Sequence, residues 1–138
     1  MSLHIIKLSV GVEDIDHLAR LQKGRMKNSP DLRHVTRNTP RRSAEILAGG
    51  SIYWVIKGFI RARQPIIDIR PVERDDGRAA CALVLEPGLV RTELRNFRPF
   101  QGWRYLKQES APPDAPSGYK SEEVSGEMMQ ELKKLGLL

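Results

Sequence analysis

Two strand-like stretches, residues 66–74 and 78–86, are separated by Asp75-Asp76-Gly77, and this spacing constrains the chain more than any other feature. Glycine at the third loop position supplies the left-handed residue that closes a three-residue connection, which predicts an antiparallel hairpin. With Arg74 opposite Arg78, Ile67 pairs with Leu85 and Ile69 with Leu83, four aliphatic side chains on one face. Asp68 and Arg70 share the other face as a structural pair, because a partly buried carboxylate needs a partner. The frame of the fold is therefore a sheet.

Other strands are expected on either side. Residues 4–10 read as a first strand and 51–63 as a long one, bent or broken at Gly58. Its alternation sets Ile52, Trp54, Ile56 and Ile60 on one face and Tyr53, Val55, Lys57, Phe59, Arg61 and Arg63 on the other. Residues 89–94 and 103–106 follow as shorter strands. Helices are predicted over 13–22, stopped at Gly24, and over 40–48, with Thr39 as cap, Pro40 in the first turn and Gly49-Gly50 at the end. The basic, proline-broken segment 24–38 reads as a loop. Residues 1–110 thus form one α+β domain, a curved and mostly antiparallel sheet or small β-barrel with flanking helices. A Pro-rich linker over 111–120 leads to an amphipathic helix over 121–135, expected to pack on the domain.

A chain of 138 residues suffices for one such core. No run approaches the roughly 18 apolar residues of a membrane span. Cys81 stands alone inside an apolar run, which makes it a small core residue and points to a reducing, cytoplasmic setting. His4, His17 and His34 are scattered without metal-ligand spacing, so neither a metal nor a cofactor is expected. No nucleophile elbow, P-loop or dinucleotide fingerprint occurs. The sequence names no reaction.

Charge is the functional signal. The net charge is +6, but residues 20–63 carry 11 basic side chains, mostly arginine, against Asp31 and Glu45 alone, a local +9 (11 − 2). Such a field attracts polyanions, although a solvated basic face is the blander reading. Two constellations refine it. Arg37, Arg41 and Arg42 surround the predicted helix start at Thr39-Pro40, where free amides favour a phosphate. Downstream, Phe100, Gln101, Trp103, Arg104 and Tyr105 gather aromatic rings, an amide and a cation around a glycine, suited to stacking unpaired bases. The competing reading of that second group is an aromatic plug at the end of a sheet.

Residues 52–58, the segment 36–42 and the motif Arg-Pro-Phe-Gln-Gly-Trp-Arg-Tyr-Leu over 98–106 resemble a domain-of-unknown-function family of small basic alphaproteobacterial proteins. That resemblance covers nearly the whole chain and implies no activity. Ile46-Leu47-Ala48-Gly49-Gly50 followed by strands is also similar to the PUA-like superfamily and its ASCH branch, which implies a curled β-barrel and binding of RNA or modified nucleotides.

The leading expectation is an RNA-binding or nucleotide-recognition module. Arg37, Arg41 and Arg42 would position phosphate; Lys57, Arg61 and Arg63 would extend the track; Phe100, Trp103 and Tyr105 would stack a base, with Gln101 reading it and Arg104 beside them. The rival is an enzyme acting on a small phosphorylated or acidic metabolite in the same basic pocket, with Asp68 as its acid/base group. A third is a protein-interaction module built on the terminal helix.

Overall fold

The structure is a computed structural model that describes residues 3–29, 31–98, 100 and 102–116. Its strands are β1 (Leu3–Leu8), β2 (Leu32–Thr36), β3 (Ser51–Ile56), β4 (Phe59–Glu73), β5 (Ala79–Leu85), β6 (Val90–Asn96) and β7 (Trp103–Lys107). Among the described residues two α-helices, α1 (Ile15–Met26) and α2 (Ser43–Leu47), accompany them. The strands form one seven-stranded sheet in the order β2-β5-β4-β3-β1-β7, with β6 also paired to β4. Every pair is antiparallel except β1 with β3. The mostly antiparallel sheet is as expected. It stays open, so the barrel alternative is not formed, and the helices are minor.

β4 organises the sheet. One edge of its first half pairs with β3, and along the opposite edge β6 and then β5 follow one another. A hydrogen bond from the Glu86 amide to the Pro65 carbonyl (3.0 Å) joins the two runs. The β4–β5 hairpin closes as predicted, with the Arg74 amide on the Arg78 carbonyl at 2.8 Å and Gly77 at a φ of 83°. Ile69 faces Leu83, but Leu85 faces Ile66 because the register shifts between Ile66 and Asp68. The extra residue of that bulge is Ile67, which is turned out and 58% exposed instead of joining the apolar face.

The stretch 51–63 is two strands. Lys57 and Gly58 both take positive φ (52° and 83°), the two-residue turn whose twist matches a hairpin. Both faces of β3 are buried, so Tyr53 and Val55 sit in a second core with Ile60 instead of on an open face. Ile52, Trp54 and Ile56 belong to the first core, beneath Leu18 of α1 and Ile46 of α2. Opposite, Phe100 and Leu106 cover Ile6, Tyr53, Val55 and Ile60. A reciprocal amide pair locks α1 down: Gln22 Nε2 donates to Gln64 Oε1 (2.7 Å), Gln64 Nε2 returns a bond to Gln22 Oε1 (2.9 Å), and Trp54 Nε1 donates to Gln64 Oε1 (2.9 Å). Such a buried network is tolerated because its members satisfy one another.

Three local expectations give way to tertiary context. Gly24 does not stop α1, which runs to Met26; glycine in a helix costs only about 1 kcal/mol. It starts at Ile15 and not at 13, because Asp14 caps it, accepting a bond from the His17 amide at 2.7 Å. Residues 32–36, within the predicted loop, form edge strand β2 on β5, a long-range pairing that β-branched Val35 and Thr36 suit. α2 is a single turn starting at Ser43, and its Arg42 cap makes no side-chain cap bond, so Thr39-Pro40 does not open a helix. Gly50 is where glycine is needed: a Cβ there would lie 2.1 Å from the Leu3 carbonyl oxygen.

Residues 111–116, where the linker was expected to begin, lie along β6, with the Glu93 amide on the Pro113 carbonyl (2.9 Å) and the Ala115 amide on the Arg91 carbonyl (2.8 Å). The helix expected over 121–135 falls outside the described residues. Among them, no helix is long and apolar enough to cross a membrane.

Candidate functional site

The sheet curves enough that its two terminal strands border one cleft. This cleft, of about 590 Å³, is lined by Lys7 of β1, by His34, Val35 and Thr36 of β2, by Arg37 and Asn38 after it, and by Gly102 and Trp103 at β7. Alternation puts the side chains there. Leu3 and Ile5 of β1 enter the first core, and Lys7 continues their face to the rim. Trp103 and Tyr105 of β7 pack against the same core, their rings edge to face at 5.1 Å. One direct link spans the opening: Trp103 Nε1 donates to the Asn38 carbonyl at 3.3 Å, a carbonyl that also accepts from Thr36 Oγ1 at 3.0 Å.

Electrostatically the cleft is unfinished. Lys7 has no carboxylate partner among the described residues; its Nζ donates to the Leu8 carbonyl at 3.3 Å, and burial lowers its pKa. Arg37 is exposed and likewise unpaired among them. Between these cations His34 stands edge to face on Trp54, with ring centroids 5.3 Å apart. Burial first, and then repulsion from Lys7 and Arg25, push its pKa down to about 4, so the imidazole is neutral at pH 7. Its Nε2 is sealed and lacks a hydrogen-bond partner.

The other expected residues are placed elsewhere. Arg41 is exposed on the loop before α2, without an ion pair among the described residues. Arg42 turns to Glu45, with contacts of 2.6 and 2.8 Å, and stacks over Tyr105 at 5.6 Å. Lys57 pairs with Glu13 across 3.2 Å in the β3–β4 turn. Arg61 is buried against the Ile56 carbonyl (2.6 Å). Arg63 belongs to the opposite face of the sheet, where Asp114 holds it through bonds of 2.7 and 2.9 Å. A continuous track from Arg37 through Lys57, Arg61 and Arg63 therefore does not form: the last three are spoken for, and the sheet lies between.

The aromatic group divides as well. Phe100 is buried in the second core against Phe97, with the Arg104 guanidinium 5.0 Å over its ring, which is the plug arrangement. Trp103 and Tyr105 are half-buried on the other side, and the Tyr105 hydroxyl accepts from the Arg42 amide at 3.2 Å. Gln101 lies outside the described residues. Asp68 is tied into a chain of ion pairs in which Arg70 bridges it to Asp31, at 2.6 and 2.9 Å. Arg70 and the Ile69 amide hold its carboxyl below the usual carboxylate range, which makes it a weak base. It lines neither the cleft nor the pocket on the opposite face of the sheet.

Lys7 and His34 were missed from sequence. The signal was present for both: a lysine in phase with Leu3 and Ile5 on an otherwise apolar strand face, and a histidine whose flanking Arg33 and Val35 point the other way once 32–36 is read as a strand.

A second pocket, of about 380 Å³, opens on the opposite face between His4, Tyr53, Arg63, Gln108 and Asp114. Its polar groups are matched internally. His4 Nδ1 accepts from the Ser51 amide (2.9 Å), and its Nε2 lies 2.6 Å from Gln108 Oε1. Among the described residues, no group of three or more His, Cys, Asp and Glu side chains is placed to hold a metal ion.

Comparison with known proteins supplies the family. The family model described as "Protein of unknown function (DUF1489)" matches residues 5–138. The chain belongs to this family. No curated protein and no solved structure matches it. The match spans the cleft and the opposite pocket apart from His4, and it assigns a role to neither.

Proposed function

We propose that the protein is an RNA-binding or nucleotide-recognition module whose ligand enters the cleft between β2 and β7. One observation carries this reading: two cations without carboxylate partners among the described residues, Lys7 and Arg37, border the same opening as the half-buried indole of Trp103. Of the other expected cations, Arg42, Lys57 and Arg63 are held by carboxylates and Arg61 by a buried carbonyl, whereas Lys7 and Arg37 have no carboxylate partner among the described residues to neutralise them. Lys7 and Arg37 bind phosphate oxygens, with exposed Arg41 adding to the local field. Trp103 offers its ring to an unpaired base, a contact worth about 1 to 3 kcal/mol. The ligand is thus a single-stranded segment or a free nucleotide, since a base stacked within a duplex has no free face to present.

The experiment is a titration of labelled single-stranded RNA at several salt concentrations, using the full chain. Two phosphate contacts contribute about 1.4 to the slope of log affinity against log salt. Replacing Lys7 and Arg37 together with alanine should remove that increment, while Lys57→Ala should leave the slope as it was. A slope that survives the double replacement counts against the cleft.

A further inference from the structure

The cleft wall contains a group that phosphate binding does not use. His34 occupies the middle of β2, opposite Leu83 of β5, so its backbone is fixed by a ladder and not by a loop. Its ring is held edge to face on Trp54, which is itself anchored through Gln64. Nε2 is sealed and unpartnered and the ring lines the cleft, which leaves Nδ1 as the nitrogen for a ligand there to meet. Of the neighbouring polar groups, the Thr36 hydroxyl and the Trp103 indole N–H are already committed to the Asn38 carbonyl. Lys7 and Arg37 are cations suited to phosphate. A rigid, uncharged ring fixed in a strand is suited to reading a base edge, because a neutral imidazole presents a donor or an acceptor in a set direction without drawing phosphate to itself.

On the reading that the cleft takes a nucleotide, we infer that His34 is its specificity-determining residue, with Nδ1 making a hydrogen bond to the edge of the base that rests on Trp103. Lys7 and Arg37 set how tightly the phosphate is held, and His34 sets which base is preferred. The division mirrors that between positioning and readout in nucleic-acid recognition generally. A site that hydrogen-bonds its ligand discriminates against ligands lacking the matching group, since the polar atom is then left unpaired.

The test uses the full chain with AMP, GMP, CMP, UMP and inorganic tripolyphosphate. Wild type should prefer one base over the least favoured by about fivefold, the ratio that one net hydrogen bond gives. His34→Phe keeps an aromatic ring on Trp54; it should bring the four nucleotides to equal affinity and leave tripolyphosphate binding unchanged. In wild type, the ring ¹⁵N resonance of His34 Nδ1 should move on adding the preferred nucleotide and stay still with tripolyphosphate, a readout that needs no folded variant. Equal affinities in wild type, a preference that persists in His34→Phe, or a stationary Nδ1 resonance each overturn the role of His34 while nucleotide binding itself stands. A wild-type protein that binds no nucleotide overturns the parent reading together with this one.

Discussion

The two faces of the sheet carry pockets built from similar parts, a histidine, a cation and an aromatic ring, and the parts are used in opposite ways. On one face His4 bridges the Ser51 amide and Gln108, Arg63 is clasped by Asp114 and Ser51, and Tyr53 is packed edge to face on His4. On the other, His34 has an orphaned nitrogen, Lys7 and Arg37 have no carboxylate among the described residues, and Trp103 is half open to the cleft. Buried polar groups are normally satisfied, so the first pocket is explained by folding alone. The second keeps polar capacity that folding leaves unused, and this difference separates a structural pocket from a candidate binding site.

The largest expected contrast is in stability. His4→Ala removes the acceptor of a buried amide and leaves a cavity, and should cost about 2 to 4 kcal/mol in denaturant unfolding. RNA affinity of the folded fraction should not change. An affinity loss matching that of the cleft variants would erase the distinction between the faces.

Acid should act through the histidines before the carboxylates. The unfolded chain takes up a proton on each histidine near pH 6.5, whereas folded His34 does so only near 4. Stability is therefore level above about pH 6.5 and falls between there and pH 4, by up to about 3 kcal/mol from His34. His4, also lowered mainly by burial, adds in the same direction. The partnered carboxylates Asp31, Asp68 and Asp114 are held low and lose their contribution only below the usual carboxylate range. His34→Phe should flatten much of the fall in thermal midpoint between pH 7 and 4.5; an unaltered fall would mean that His34 titrates normally.

Next comes binding. Lys7→Ala with Arg37→Ala should weaken single-stranded RNA by about tenfold to a hundredfold at low salt, since hydrogen bonds to charged groups are worth about 1.5 to 3 kcal/mol each and screening reduces that at an open cleft. Stability should shift little. Smallest of all, Asp114→Asn should cost about 0.5 to 1 kcal/mol, because the Arg63 pair is partly exposed and screened, and it should leave RNA binding alone.

The local features of this fold were legible in the residues. Asp75-Asp76-Gly77 dictated its hairpin, and the lone, apolar setting of Cys81 matches a buried thiol whose pKa burial raises. What stayed hidden depended on partners distant in sequence. β2 is a short edge strand in a basic stretch, recognisable only once β5 is available to pair with it. Arginines 42, 61 and 63 look alike along the chain, and only the fold shows that Glu45, the Ile56 carbonyl and Asp114 use them. The clustering of Phe100, Trp103 and Tyr105 in sequence implied one platform. Packing sends Phe100 to the second core and the other two to the first.

The most direct test is tryptophan fluorescence of the full chain during a nucleotide titration, because its two indoles report different places: Trp54 is buried in the first core and Trp103 borders the cleft. Base stacking on Trp103 should give saturable quenching in wild type and none in Trp103→Phe, whose remaining indole is shielded. Quenching of equal depth in Trp103→Phe, or a wild-type signal that never saturates, would contradict it.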